Sequence, residues 1–192
     1  MSQAKAEPTS TSYAESPYEG RLIRLRAREP EDEQLLHEWF NDPEVTEHLA
    51  LRYPLSHRTE RGFIERMSEV RYGNASFAVE TLEGRMIGGC GLEGASPENR
   101  SATLGIAIGD KAYWDGGYGT DTMRVLCRVG FEVMNLHRIE LDVYANNKRA
   151  IRVYEKVGFQ LEVTKRKALY KFGQYHHIHI MGLLEGELKL ED

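Results

Sequence analysis

Two hydrophobic rhythms alternate along the chain, and the switches between them predict its elements. From Arg21 the apolar residues Leu22, Ile23 and Leu25 predict a first strand. Pro30 and Glu31-Asp32 then open a helix whose apolar positions, Leu35, Leu36, Trp39 and Phe40, recur one turn apart. Asn41-Asp42-Pro43 stops that helix, and a second follows from Arg58 to Val70 with Phe63, Ile64 and Met67 on one side. Ser76–Thr81 and Met86–Leu92 form two strands joined by a turn at Leu82-Glu83-Gly84. After a polar loop from Gly94 to Ser101 comes a strand over Ala102–Ile108. The most regular helix spans Asp121–Asn135, with Met123, Leu126, Cys127, Gly130, Val133 and Met134 forming an apolar stripe. A strand at His137–Tyr144, a helix at Ala150–Val157 and closing strands at Phe159–Thr164 and His176–Leu183 complete the chain.

This order predicts a mixed α/β (α+β) fold: a central mixed, mostly antiparallel sheet with helices on both faces. Residues 1–19 hold Pro8, Thr9, Ser10, Thr11, Ser12 and Pro17 with almost no large aliphatic residue, so a flexible tail is expected before a single domain at 20–192. A hydrophobic content of 41% with 29% charged residues fits an ordinary soluble protein. The net charge of −5 argues against general nucleic-acid binding, and no apolar run has the length of a membrane span. The N-terminus lacks a secretory layout, and Cys90 and Cys127 fall inside apolar patterns as buried thiols; a cytoplasmic location is expected. Lys148, Arg149, Arg152 and Lys156 gather on one later segment, as either a solvated helix face or the neighbourhood of an anion.

Two motifs carry candidate chemistry. In Trp114-Asp115-Gly116-Gly117-Tyr118-Gly119-Thr120 a glycine turn precedes a helix. Such a turn points free backbone amides and the positive end of the helix dipole at whatever lies before it, which suits a phosphate. Glycine lets the chain approach without a Cβ in the way, although a lone Gly-x-Gly is most often a plain loop-to-helix junction. A P-loop is excluded because no lysine stands in the required place. A dinucleotide fold is excluded because Thr122 occupies the third glycine position and the loop from Ile108 to Gly117 is too long. In the second motif, Asn147 precedes the periodic residues Ala150, Ile151, Tyr154 and Val157. Taken singly, Asn147 is an N-cap and Tyr154 a core tyrosine. Following a Gly-x-Gly helix and an intervening strand, their joint occurrence is improbable as coincidence.

Here the chain resembles the GNAT superfamily of acyl-CoA N-acyltransferases, in the branch of the ribosomal-protein N-terminal and spermidine acetyltransferases. The later family motif is complete as Asn147, Ala150, Tyr154, Glu155, Lys156, Gly158 and Phe159, while Trp114 stands at the usual Gln or Arg of the phosphate motif ahead of Gly117 and Gly119. Arg24-Leu25-Arg26, Trp39 with Asn41-Asp42-Pro43, and Gly173-x-Tyr175-His176 extend the likeness over about residues 20–186.

The resemblance implies acetyl transfer from acetyl-CoA directly to a primary amine, with no metal. It implies that the strands Leu104–Ile108 and Arg138–Tyr144 splay apart around the pantetheine arm. Backbone groups of Ile106, Ala107 and Ile108 would pair with that arm, and an amide there would stabilise the oxyanion. Amides of Asp115, Gly116, Gly117, Tyr118, Gly119 and Thr120 would hold the pyrophosphate. Asn147 would touch the arm, Lys148 or Arg149 would reach the phosphates, and Tyr154 would protonate the departing thiolate. Many members carry a glutamate where Thr103 stands here, a departure that favours either an α-amine acceptor or a base elsewhere; Glu140 and His177 are the candidates for such a base. His176, His177 and His179 lack the further ligand a metal site needs. The acceptor, a polypeptide N-terminus, a polyamine or a small-molecule amine, would lie among Trp39, Phe40, Tyr53, Phe63, Tyr170 and Tyr175. A homodimer is among the expected assemblies. The alternative is a catalytically weak or inactive acyl-CoA-binding sensor.

Overall fold

A computed structural model describes residues 16–67 and 71–191 of the chain. Seven strands, β1 (Ile23–Arg26), β2 (Asn74–Thr81), β3 (Met86–Ser96), β4 (Ser101–Ile108), β5 (Arg138–Tyr144), β6 (Gln160–Lys171) and β7 (Gln174–Leu184), form one sheet in the order β1-β2-β3-β4-β5-β7-β6. Neighbours are antiparallel throughout except β4 and β5, which run parallel. That parallel pairing covers only Ser101↔Arg138, Ala102↔Ile139 and Thr103↔Glu140, although both strands continue beyond it. From Leu104 onward β4 keeps its ladder to β3 alone, leaving a wedge on its other edge.

Helices α1 (Glu33–Phe40), the short α2 (Pro43–Thr46) and α3 (His57–Met67) belong to one side, and α4 (Tyr118–Arg128) and α5 (Lys148–Val157) to the other. The larger core lies under α4 and α5, where Met123, Leu126, Val157 and Phe159 meet Leu92, Ile139 and Met181 of the sheet. A smaller cluster of Leu36, Ile64, Ala78 and Met86 seats α1 and α3, with Trp39 and Phe40 packed on it. Cys90 and Cys127 are buried free thiols. The mixed, mostly antiparallel sheet with helices on both faces is therefore the architecture that the apolar pattern predicts.

Three local features depart from the pattern. The helix expected to reach Asn135 ends at Arg128 and widens into a π turn over Val129–Val133, where the Met134 amide donates back to Val129. Gly130 lies in that turn, and a Cβ there would come 2.8 Å from Ile139 and 3.1 Å from Leu92. β6 and β7 form a longer hairpin than expected, closed by Phe172 and Gly173 at φ values of 49° and 76°. Two successive positive φ angles are the type I′ geometry that matches strand twist. β3 runs past Leu92 to Ser96 through an irregularity opposite β4. The last residues expected in the second helix, Ser68 to Val70, lie outside the described residues.

Of the segment expected as a tail, residues 1–15 also lie outside the described residues. Pro17 and Glu19 accept hydrogen bonds from the Arg128 guanidinium, and Tyr18 packs 5.9 Å from the Phe77 ring. The start of β1 is fixed by Asp121, whose carboxylate accepts from the amides of Arg21, Leu22 and Ile23. Beyond it, Arg26 donates to both oxygens of Asp32 and to Glu80, which Arg24 also binds. These partners hold the carboxyls of Asp32 and Glu80 below the usual carboxylate range, against the opposing effect of burial.

Candidate active site

The wedge beside β4 ends at the glycine turn. Gly117 caps α4 with φ 87°, and Asp115 also holds a positive φ of 60°. The first intrahelical bond runs from the Asp121 amide to the Gly117 carbonyl, so the amides of Tyr118, Gly119 and Thr120 precede the ladder. A Cβ built on Gly119 finds nothing within 4 Å. The protein therefore has no packing reason for glycine at this point; the amide face is left bare, as an anion would require. Tyr113 braces the turn edge-on to Tyr118 at 4.9 Å.

Two basic or aromatic groups flank this cradle. Arg149, in the first turn of α5, stacks 4.4 Å over the Trp114 ring and lies 3.9 Å from the Asp115 carboxylate. Trp114 in turn donates its indole N–H to the Ile108 carbonyl at 2.8 Å. Arg149, from the second motif, thus reaches the turn of the first. The residues fit a pyrophosphate: a bare helix start, a glycine with free space beside it, and a guanidinium within reach.

Along β4 the fit is more selective. The Ala107 carbonyl is directed at Gly88 on β3, within the space a Cβ there would need. Strand alternation then turns the backbone of Ile106 and Ile108 to the wedge, and Ala107 is corrected from a backbone partner of the coenzyme arm to a partner of β3. The Ile108 carbonyl is already taken by Trp114, leaving its amide and both groups of Ile106.

Asn147 caps α5 by accepting from the Ala150 amide at 3.1 Å, as its position before the helix requires. Tyr154 is half-buried against the core, 6.1 Å from the Phe159 ring. Burial pushes its phenol up to about 12. It therefore keeps its proton at any physiological pH, as a donor must.

On the opposite face, a cavity of about 340 Å³ opens between the sheet, α3 and the loop after α2. Its floor is made of two cross-strand pairs, Gly89↔Ala107 and Gly91↔Gly105, whose small residues leave room above the sheet. Phe40, Phe63, Leu49, Leu51 and Leu55 supply apolar walls. Into this cavity come two charged side chains that are 9% and 2% exposed, Arg28 and Glu60. Among the described residues, Arg28 Nε and Nη1 and Glu60 Oε1 have no hydrogen-bond partner, and no ion pair joins the two residues. An unpaired buried charge costs roughly 3–5 kcal/mol, so neither is there for the stability of the free protein. Burial lowers the guanidinium and raises the carboxyl from their ordinary values, and the attraction between the two acts in the opposite direction without cancelling it. The Arg28 guanidinium lies over Gly89, where a Cβ would come 2.6 Å from Nη2, and its carbon is 5.6 Å from the Phe63 ring.

The expected base candidates fall elsewhere. Glu140 shares a sheet face with Thr103 and sits in an ion pair with Arg138, 3.1 Å away, which also holds Glu162. It is not among the residues lining the cavity. His177 is exposed beside Arg166 and Lys167, at a separate surface hollow. The carboxylate nearest to the vacated role is Glu93, the direct cross-strand neighbour of Thr103, which lines the cavity and carries no ion pair or hydrogen bond among the described residues. Of the six aromatics expected around the acceptor, Phe40 and Phe63 reach the cavity. Trp39 instead packs on Gly109, and Tyr53, Tyr170 and Tyr175 are exposed.

Arg28, Glu60 and Glu93 are not singled out by the hydrophobic pattern, yet two signals point towards the cavity. Glu60 falls one turn before Phe63 and Ile64 on the apolar stripe of α3, a carboxylate where a hydrophobic residue belongs. Gly88, Gly89 and Gly91 crowd a strand otherwise suited to large residues, a mark of space reserved for something else.

Comparison with known proteins places this geometry in a family. Residues 22–160 match the acetyltransferase (GNAT) domain. The chain is 29% identical over 176 residues to the uncharacterized N-acetyltransferase p20 of Bacillus licheniformis, covering 90% of this chain and 98% of that protein. It is 28% identical over 162 residues to the L-amino acid N-acetyltransferase AaaT of Escherichia coli, covering 83% and 96%. The spermidine N-acetyltransferase of Vibrio cholerae, solved with CoA and spermine, shares the fold at a TM-score of 0.80 and 23% identity, over 86% of this chain and 96% of that one. The chain belongs to the GNAT acetyltransferase family, and it is an acyltransferase that moves an acetyl group onto an amine.

Proposed function

We propose that the wedge between β4 and β5 takes acetyl-CoA and that the cavity on the far side of β4 takes a primary amine as acceptor. The observation that carries this is the loss of pairing after Thr103↔Glu140, with the bare α4 start at one end of the gap and the cavity floor on the same strand. The coenzyme supplies a thioester, a carbonyl already activated for attack. The amides of Tyr118, Gly119 and Thr120 hold the pyrophosphate, with Arg149 beside them. The backbone of Ile106 and the Ile108 amide align the arm as an added strand, and an amide there receives the oxygen as it gains charge.

The residues of the chain then have two proton problems to solve. An acceptor amine must be neutral to attack; at pH 7 that costs about 1 kcal/mol for an α-amine and roughly 4.6 kcal/mol for a lysine-like nitrogen. Thr103 cannot take that proton, whereas a carboxylate in the cavity can. On the leaving side, Tyr154 presents its hydroxyl to the sulfur. A phenol near 12 is a poorer acid than an ordinary thiol of about 8.5, so its main work is a hydrogen bond that stabilises the thiolate, with the proton replaced from the new amide nitrogen.

The acceptors named for the relatives differ, an L-amino acid in one and a polyamine in the other. The proposal is tested by mixing the protein with acetyl-CoA and a panel of amines and measuring released thiol. Turnover with at least one amine is expected; tight coenzyme binding with no turnover on any amine contradicts it.

A further inference from the structure

Resting on that assignment of the two sides of β4, we infer that the acceptor is a small α-amino acid with an apolar side chain, its carboxylate received by Arg28 and its amine by Glu60. Three observations converge. First, Arg28 and Glu60 are both more than nine-tenths buried and line one cavity with unpaired polar atoms. A buried cation and a buried anion that do not touch each other are complementary to a ligand that carries both charges. An α-amino acid does so across two bonds, and seating it satisfies both groups at once.

Second, the walls between these charges are apolar, formed by Phe40, Leu49, Leu55 and Phe63, and suit an aliphatic or aromatic side chain. Third, the volume of about 340 Å³ is near the lower end of the range for small-molecule sites, roughly 300–1,000 Å³. A polyamine fits these facts less well: Glu60 and Glu93 at the lining could meet its ammonium groups, but it has no anion to offer Arg28 and would leave the guanidinium without a partner. Arg28 also lies over Gly89, the cross-strand neighbour of Ala107, so the carboxylate it holds stays beside β4.

The chemistry balances with the groups present. The bound ammonium gives one proton to the Glu60 carboxylate, and the neutral amine attacks the thioester carbonyl. A C–N bond forms and the C–S bond breaks. The second proton of the former ammonium passes to the thiolate by way of Tyr154, and Glu60 releases its own to solvent. Glu60 is then a carboxylate again, and the acetylated product, having lost its positive charge, no longer satisfies it.

The test compares acceptors that differ in the carboxylate alone. Thiol release from acetyl-CoA is measured with L-leucine and L-phenylalanine, their carboxamides, their decarboxylated amines and spermidine, for the wild type and for Arg28→Gln. For the wild type, kcat/KM for the amino acids is expected to exceed that for the amides and amines by about 10,000-fold, the scale at which a site rejects a ligand that leaves its polar group unpaired. Arg28→Gln should remove most of that preference through KM. Amines or spermidine turned over as well as the amino acids by the wild type overturn the inference while leaving the acetyltransferase assignment intact. An Arg28→Gln protein that folds and keeps the preference overturns it too; if that variant does not fold, the wild-type ratios decide. If no acceptor releases thiol, calorimetry with L-leucine in the presence of CoA decides separately. Binding that requires the carboxylate supports the site, and absence of binding overturns it.

Discussion

The two sides of β4 are built from opposite materials. Towards the wedge the protein offers backbone: the amides at the start of α4, and the edge of Ile106 and Ile108, with free space where a Gly119 side chain would stand. Towards the cavity it offers side chains, and two of them are buried charges whose Arg28 Nε and Nη1 and Glu60 Oε1 find no hydrogen-bond partner among the described residues. A backbone cradle serves a ligand part that never changes, whereas buried side chains select a ligand by shape and charge. The difference assigns the wedge to a common coenzyme and the cavity to a particular acceptor.

The comparison is sharpened first by a control two residues from Arg28. Arg26 lies in the same stretch of chain, but its guanidinium is fully engaged by Asp32 and Glu80. Arg26→Gln should destabilise the protein by about 3 kcal/mol in urea unfolding, because it strips the side-chain partner from the largely buried Asp32 and leaves Glu80 with Arg24 alone. Their pKa values lie below the ordinary range in the folded state, so the stability they contribute is present above the unfolded carboxylate range and lost as pH falls through their folded values. The variant should therefore lose part of that acid-side slope, the remainder being kept by Arg24 on Glu80 and the Glu29 amide on Asp32. Arg28→Gln, which removes an unpaired charge, should show no comparable loss; an equal loss would end the distinction between the two arginines.

Next in size is Gly119→Asp. A side chain there meets nothing in the protein, and an acid in the first helical turn is favourable to the dipole, so unfolding stability should hold or rise by a few tenths of a kcal/mol. Coenzyme affinity measured by calorimetry should fall about 100-fold, near 2.7 kcal/mol, as a carboxylate is set against the pyrophosphate. Unchanged affinity would remove the glycine turn from the coenzyme site.

The smallest effect belongs to Glu60. Its folded pKa is raised by burial, so it destabilises the folded state as pH climbs from the ordinary carboxylate range through that raised value. Glu60→Gln should be more stable than the wild type by roughly 1 kcal/mol at pH 7 and show a flatter stability profile over that window. A loss of stability at pH 7 would mean that Glu60 is a structural group with a partner, and the cavity would lose half of its charge pattern.

The wedge was legible in the sequence because its parts are local. Gly117 and Gly119 precede an apolar-striped helix, and Asn147 and Tyr154 share one helix, so spacing along the chain carries the geometry. Even there Ala107 was out of reach, since which way a carbonyl points depends on strand pairing and not on residue type. The cavity was not legible for a different reason. Arg28 follows β1, Glu60 sits on α3 and Glu93 on β3, and only the folded sheet brings them to one face. Glu140 and His177 illustrate the same limit: each is chemically fit to be a base, but one is bound in a pair with Arg138 and the other is exposed beside Arg166 and Lys167. The long β6–β7 hairpin escaped because its solvent-facing residues, Lys165 to Lys167 among them, carry no apolar alternation to mark a strand.

The central claim, that the β4–β5 wedge is where the thioester is cleaved, is tested most directly with Tyr154→Phe. The change removes one hydroxyl and leaves the ring against Phe159, so acetyl-CoA should bind within about twofold of wild type, while thiol release at saturating coenzyme falls about 100-fold. Unchanged turnover at equal coenzyme saturation would contradict the account.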